Sequence, residues 1–341
     1  MALDTKKAVH RWNYMSYWRR KMRFFIQPGR EKKTRHMPII KSFPKHPDVA
    51  AEDGADDTTI KVMTLNTAHG RKNGRHQIFQ RTSSIISNLD DIASVFNRET
   101  PHVIALQEAD GPSAWSGNFC HVEYLAQRSR YAFAIRGEHA RGIRLSYGTA
   151  LLSSLDIADP VSVRFPTKLT TPPKGFVACT VAWPGTSRLN VDVVSVHLDF
   201  SRRSIRKCQV EHIVSVMERS KNPIIMMGDF NCEWNSRDPS LRMLAEKLKL
   251  DAYRPEADDM MSFPRLGRRL DWILISPHLQ FSSYRVFQDA VSDHLGIVTE
   301  IGIAKGMAGN RETDGVQDGY NMSWSIDDIP ENDSFQGAAA G

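Results

Sequence analysis

The chain has 341 residues, 41% of them hydrophobic and 25% charged, with a formal net charge of +6, which is enough apolar material for one large core or two modest ones. No stretch approaches the apolar length that crosses a bilayer, and the N-terminus lacks the apolar core of a secretory signal because charge interrupts its aromatic residues. Cys120, Cys179, Cys208 and Cys232 show no metal-ligand or redox spacing and read as reduced thiols, which suits a cytosolic protein.

The charge is uneven. Residues 1–48 hold 13 Lys and Arg against 3 Asp and Glu, whereas residues 304–341 hold 2 against 7, so the middle of the chain is close to neutral. Within the basic segment, Trp12, Tyr14, Tyr17, Trp18, Phe24 and Phe25 alternate with cations. That mixture suits an anionic membrane surface, to which the chain would attach peripherally, or nucleic acid through stacking and phosphate contacts. A poorly ordered basic arm, or a helix packed by its aromatic face, would read the same way. Pro28 to Asp57 reads as linker, so residues 1–57 are expected to be an arm and linker, residues 58–303 one catalytic domain, and residues 304–341 an acidic disordered tail.

Taken in order, the first core strand is Lys61–Leu65, ending in Asn66. A glycine-punctuated loop follows, in which His69 and Arg71 are either solvated or in reach of a substrate phosphate. Ser83 to Phe96 places Ile85, Ile86, Leu89, Ile92, Ala93 and Phe96 on one side of a helix, which Thr100-Pro101 ends. Val103–Leu106 is a strand ending in Gln107-Glu108. A helix over His121–Arg128 precedes strands at Tyr131–Ile135 and Tyr147–Ser153. Phe176–Val181 and Leu189–Val196 form a hairpin around Pro184-Gly185, and the second strand ends in His197-Leu198-Asp199.

Arg203 to Arg219 is the next helix; Arg203 and Arg206 at its opening either supply positive field beside Asp199 or form an ordinary charged face. Pro223–Met227 is a buried strand that Gly228 ends, and Asp229 and Asn231 then share one side of extended chain while Phe230 points to the core. After a helix at Pro239–Leu250, Leu270–Ile275 carries Asp271, and Ser292-Asp293-His294 leads into a last strand. Strands and helices mixed with both hairpins and crossovers argue for an α/β sandwich over a doubly wound parallel sheet.

One polar residue at a strand end is ordinary, but apolar runs that repeatedly end in Asn, Glu, His or Asp form a constellation. Leu106-Gln107-Glu108, Gly228-Asp229-Phe230-Asn231 and Ser292-Asp293-His294, in this order and spacing, resemble the endonuclease/exonuclease/phosphatase superfamily of DNase I-like phosphoesterases over residues 58–303. The resemblance implies a four-layer sandwich of two packed mixed β-sheets flanked by helices, with the site at one edge. Oxygen and amide donors without a cysteine cluster suit a hard cation, Mg2+ or Mn2+. Glu108, Asn66 and Asp293 are its ligands as the resemblance implies, and one metal or two are both compatible with this set. By the same resemblance Asp229 orients or deprotonates water, Asn231 holds a phosphate oxygen, His197 donates to phosphate, and Asp271 orients His294 as acid/base. A neutral His294 would lose its contribution as pH falls through the ordinary histidine range of about 6 to 7.

His69, Arg71, Asp199, Arg203 and Arg206 complete the set as substrate contacts. The chain departs from abasic-site endonucleases, which carry Tyr-x-Pro-Asn where it has His197-Leu198-Asp199. It also departs from inositol-polyphosphate phosphatases, which carry Trp-Cys-Asp-Arg where it has Arg269-Leu270-Asp271-Trp272. The expectation is a phosphodiesterase acting on nucleic acid, with a phospholipid head group at a membrane surface as the alternative. A silent binding module on the same fold is the second alternative, which the completeness of the residue set disfavours.

Overall fold

The computed structural model describes residues 35–45, 59–74, 76, 79–166, 171–185 and 189–304; the aromatic, basic stretch near the N-terminus and the acidic tail lie outside the described residues. In chain order the elements are β1 (Arg35–His36), β2 (Ile39–Ser42), β3 (Thr59–Asn66), α1 (Thr82–Glu99), β4 (Val103–Asp110), α2 (His121–Arg128), β5 (Phe133–Gly142), β6 (Leu145–Ser153), β7 (Ile157–Arg164), β8 (Gly175–Ala182), β9 (Asn190–His197), α3 (Arg203–Met217), β10 (Ile224–Asp229), α4 (Ser240–Leu248), β11 (Asp251–Ala252), β12 (Asp271–Ile275), β13 (Leu279–Val286) and β14 (Ile297–Ile303).

They build two mixed sheets, β1-β7-β8-β9-β10-β12-β11 and β13-β14-β3-β4-β6-β5-β2. Each sheet has a parallel pair at its centre, β9 with β10 and β3 with β4. Those central strands are buried on both faces, so they read as continuous apolar runs whose alternate residues serve different cores. Val62, Val103, Val193, Ile225, Met227 and Ile273 meet between the sheets. Their neighbours Val194, Val196, Met226 and Leu274 face outward against Val210, Ile213 and Met217 of α3 and Leu241 and Leu244 of α4. Met63, Leu65, Ile104 and Leu106 face Ile85, Leu89, Ile92 and Phe96 of α1 and Val122 and Leu125 of α2. The result is helix, sheet, sheet, helix. The 4-3-4 spacing of the α1 residues lays an apolar stripe along one side of the helix, which stops where Thr100 takes a left-handed φ of 45° and donates its N–H to Phe96.

The fold departs from the sequence reading at three places. The segment expected to be linker contributes two strands, β1 pairing with β7 and β2 with β5. β7 contains Asp159-Pro160, which breaks the strand pattern; a register shift between Ala158 and Val161 accommodates the proline. β13 covers the edge of its sheet and exposes half of its residues, so its polar sequence hides the alternation.

Candidate active site

The C-terminal ends of β3, β4, β9 and β10 converge on one end of the sandwich, because both parallel pairs point the same way and the sheets are pinned together there. Gln107 is one pin: its Nε2 donates to Ser195 Oγ at 3.1 Å, and Ser195 Oγ donates to the Leu106 carbonyl at 3.0 Å. Gln107 therefore points inward. The pairing of β4 with β6 slips between Leu106 and Ala109, and within that bulge Glu108 takes a φ of 50°. Bulges and left-handed non-glycine backbone recur where a side chain is re-aimed for function. Glu108 is thereby turned out among His69, Lys174 and Arg71 at this end of the sandwich, with 23% of its side chain exposed.

Around Glu108 stand His69 Nε2 at 3.4 Å and Lys174 Nζ at 3.7 Å, and its carboxylate makes no hydrogen bond to a described residue. Burial works against its charge, but His69, Lys174, His197 and Arg71 hold its carboxyl well below the ordinary range. His69, itself at φ 56°, is fixed by Asp110 Oδ1 at 2.6 Å from its Nδ1. Burial disfavours its cation, yet Asp110 and Glu108 raise its pKa.

Lys174 is buried directly before β8, whose first residue Gly175 pairs with His197 at the end of β9, and its Nζ lies 2.7 Å from His197 Nε2. His197 Nε2 also lies 3.4 Å from Asp229 Oδ2. Burial and the lysine charge both lower the His197 pKa. Asp229 is the hub of the next layer. Its Oδ2 accepts from Asn66 Nδ2 at 3.0 Å, and its Oδ1 accepts the Asn231 backbone N–H at 3.0 Å. Burial opposes its charge, and His294, His197 and Lys174 overcome that, bringing its pKa down to about 2.

Asp271 Oδ2 sits 2.7 Å from His294 Nδ1 and also accepts from Ser262 Oγ at 2.7 Å. His294 Nε2 lies 3.9 Å from Asp229 Oδ2, and the ring of Phe263 rests against the imidazole with centroids 4.7 Å apart. Burial would strip the proton from His294, but the Asp271 and Asp229 carboxylates win and raise its pKa to about 10. Burial pushes the Asp271 carboxyl up, and the His294 imidazolium beside it draws it back. At neutral pH the pair is thus an imidazolium and a carboxylate. Asp229, Asp271 and His294 could gather around a cation; His294 Nδ1 is committed to Asp271, so the imidazole would offer Nε2 and give up the proton there.

Asp293 pairs with Arg71, and Ser292 Oγ donates to the Asn66 carbonyl at 2.6 Å, so the loop before β14 is tied to the end of β3. The structure therefore gathers Asn66, His69, Arg71, Glu108, His197, Asp229, Asp271, Asp293 and His294 into one network. Asn231 lies at its edge, its amide Nδ2 donating to the Leu198 carbonyl at 3.0 Å. The remaining candidates stand apart. Asp199 Oδ1 closes the turn into α3 by accepting from Ser201 and Arg202 N–H. Arg206 is buried against Asp238, its Nε 2.7 Å from the carboxylate, and donates to the Asp199 carbonyl. Arg203 is exposed and donates to the Arg237 carbonyl.

Sequence reasoning missed Lys174, Ser262 and Phe263. It attended to strand ends, whereas β8 runs antiparallel to β9 and delivers its first residues to the same end. The signal for Lys174 was a lysine directly before an apolar strand that pairs with the His197 strand.

A profile described as "Endonuclease/Exonuclease/phosphatase family" matches residues 63–294. No curated protein matches the chain by sequence. Among solved structures, an endonuclease/exonuclease/phosphatase from Beutenbergia cavernae is similar at 19% identity and a TM-score of 0.58 over 72% of each chain. The human Nocturnin catalytic domain with bound sulfate anion is similar at 18% identity and a TM-score of 0.54, over 78% of this chain and 97% of that one. Sphingomyelinase C from Streptomyces griseocarneus is similar at 17% identity and a TM-score of 0.53, over 72% of this chain and 99% of that one. These identities speak to fold alone; the profile spans more than half of the chain, and the chain belongs to the endonuclease/exonuclease/phosphatase family.

Proposed function

We propose that the protein is a divalent-metal-dependent phosphodiesterase. The observation that carries the reading is the continuous series Glu108, Lys174, His197, Asp229, His294 and Asp271, in which each polar group lies no more than 3.9 Å from the next. One end of the series is a carboxylate that accepts no hydrogen bond among the described residues, and the other is the pair of His294 and Asp271, in which the histidine is held protonated. Nocturnin, a protein of the same fold, holds a sulfate anion, a tetrahedral stand-in for phosphate.

The donor set fits a hard cation. Glu108 offers both oxygens, Asn66 Oδ1 keeps a second lone pair beyond the one taken by Ala68 N–H, and Asp293 lies beside Arg71. These three residues would hold Mg2+ or Mn2+. When bound, such an ion neutralises charge on phosphoryl oxygens.

The chain's own residues do the remainder. Asp229, ionised and gripped by Asn66 and the Asn231 N–H, presents a carboxylate edge that can orient a water and accept its proton. His294 keeps its proton on Nε2, free of Asp271, and offers it to a phosphoryl oxygen as charge develops. Lys174 provides buried positive charge between Glu108 and His197, which limits repulsion as an anionic diester enters.

Hydrolysis of bis(p-nitrophenyl) phosphate tests the reading. Activity should require Mg2+ or Mn2+ and vanish with EDTA, and Glu108→Gln should lower it by at least about a hundredfold. Turnover that is indifferent to chelation would exclude the metal-dependent reading.

A further inference from the structure

Seven large hydrophobic side chains are exposed among the described residues, and their distribution is one-sided. Phe79, Ile143, Phe200, Met261 and Leu266 all lie in connections at the active-site end: after β3, between β5 and β6, after β9, and before β12. Met37 and Ile40 belong to the edge at β2, and none lies in the described loops of the opposite end. Scattered single apolar residues are normal on a surface, but a ring of them on separate loops around one pocket marks an interaction face.

Four of these tips share a second feature. Phe79 (65% exposed) is followed by exposed Arg81; Ile143 (66%) lies between exposed Arg141 and Arg144; Phe200 (49%) precedes exposed Arg202 and Arg203; Leu266 (55%) follows exposed Arg265 and precedes Arg268. Met261 differs, since its neighbours Asp258 and Asp259 are acidic, and it marks where the basic rim stops. Among the described residues Arg141 lies 4.0 Å from Glu138, and Arg268 pairs with Glu233 at 2.7 Å. The remaining cations stand at the surface beside their apolar neighbours.

An apolar tip flanked by guanidinium groups matches a phospholipid interface: the side chain enters the acyl boundary while the cations stay at the level of anionic head groups. Nucleic acid would use the arginines but would have no favourable place for Ile143 and Leu266, because aliphatic side chains offer a base neither a ring to stack on nor a polar group. We propose that the tips Phe79, Ile143, Phe200 and Leu266, with their neighbouring arginines, form an interfacial docking face for an anionic lipid surface. The face surrounds the mouth of the pocket, so a docked molecule takes its diester from the head-group layer. That second step rests on the phosphodiesterase reading, whereas the docking does not.

The test is cosedimentation of the full-length protein with vesicles of phosphatidylcholine alone or with phosphatidylserine, across a range of salt, alongside hydrolysis of bis(p-nitrophenyl) phosphate in solution. Wild type should bind the phosphatidylserine vesicles and keep part of that binding at high salt. Phe200→Ser with Leu266→Ser should remove the salt-resistant part and weaken partition by about tenfold or more. Arg202→Gln with Arg265→Gln should remove mainly the salt-sensitive part. Both pairs should leave hydrolysis of the soluble diester unchanged. Vesicle binding that is absent in wild type, or indifferent to the apolar pair, overturns the proposal even where the diester is hydrolysed. RNA or duplex DNA binding that the apolar pair weakens while vesicle binding stays put overturns it in favour of a nucleic-acid face. Failure to hydrolyse the soluble diester while vesicle binding responds to both pairs leaves the docking supported and removes only the catalytic reading.

Discussion

The proton on His294 sets the behaviour of the site at the level of single residues. An unperturbed imidazole loses its proton near neutrality, so the sequence alone pointed to an acid-side loss of function. The carboxylates of Asp271 and Asp229 reverse that by raising the His294 pKa to about 10. A pKa raised in the folded state binds the proton more tightly than the unfolded chain does, so the stabilisation is complete below the ordinary 6.5 and lost as pH rises toward 10. Wild-type Tm should therefore decline over that window, and Asp271→Asn should flatten the decline; an identical slope in both proteins would remove Asp271 as the cause. The same variant should lower diester hydrolysis by about 10- to 100-fold while keeping metal affinity, because it removes a partner of the imidazole and leaves the oxygen donors in place. Loss of metal affinity would instead make Asp271 a ligand. Lys174→Met keeps the length of the chain but deletes the charge between Glu108 and His197, and should cost about a hundredfold in kcat. A change in KM alone would reduce Lys174 to a binding contact.

Elements explain why those residues meet. β10 runs through Gly228 to Asp229 and does not stop at the glycine as expected; the φ of Gly228 is 149°, and an added Cβ there would lie 2.0 Å from the Val196 carbonyl oxygen of β9. Only a glycine allows β9 to approach so closely, and that approach sets Asp229 opposite His197. Gly228→Ala should destabilise the fold by about 3 kcal/mol, read by denaturant unfolding, through backbone strain and the forced separation of the two strands; a loss under about 0.5 kcal/mol would show that the strands part without cost. At this scale the sequence was largely legible. The parallel strands are largely apolar because both faces are buried, so β3, β9 and β10 could be read with their terminal Asn66, His197 and Asp229, and β4 with Glu108, although β4 runs on past its bulge to Asp110. The edge elements were not legible. β13 carries as many polar as apolar residues, and β7 contains a proline that only its bulge accommodates. Nor could the sequence separate Arg206 from the site, since its burial against Asp238 depends on where the loop before α4 falls.

On the scale of the whole molecule, the near-neutral core charge concealed an uneven surface. Counted along the chain, the catalytic region offers a polyanion little net attraction, yet exposed arginines recur at loop tips around the candidate site. The segment between the basic stretch and the core is not a free tether, because β1 and β2 extend both sheets. Removal of residues 1–33 should leave Tm and soluble-diester turnover near wild type, whereas removal of residues 1–45 should lower Tm by stripping an edge strand from each sheet. Equal Tm for the two truncations would show the short strands to be dispensable.

The central claim is that hydrolysis depends at once on the oxygen donor at one end of the charged series and the protonated histidine at the other. It is tested most directly by the rate of bis(p-nitrophenyl) phosphate hydrolysis against Mg2+ or Mn2+ concentration for wild type, Glu108→Ala and His294→Ala. The account predicts that Glu108→Ala loses both turnover and metal affinity, while His294→Ala loses turnover by about a hundredfold or more and retains its metal dependence. Wild-type turnover in both variants would contradict it.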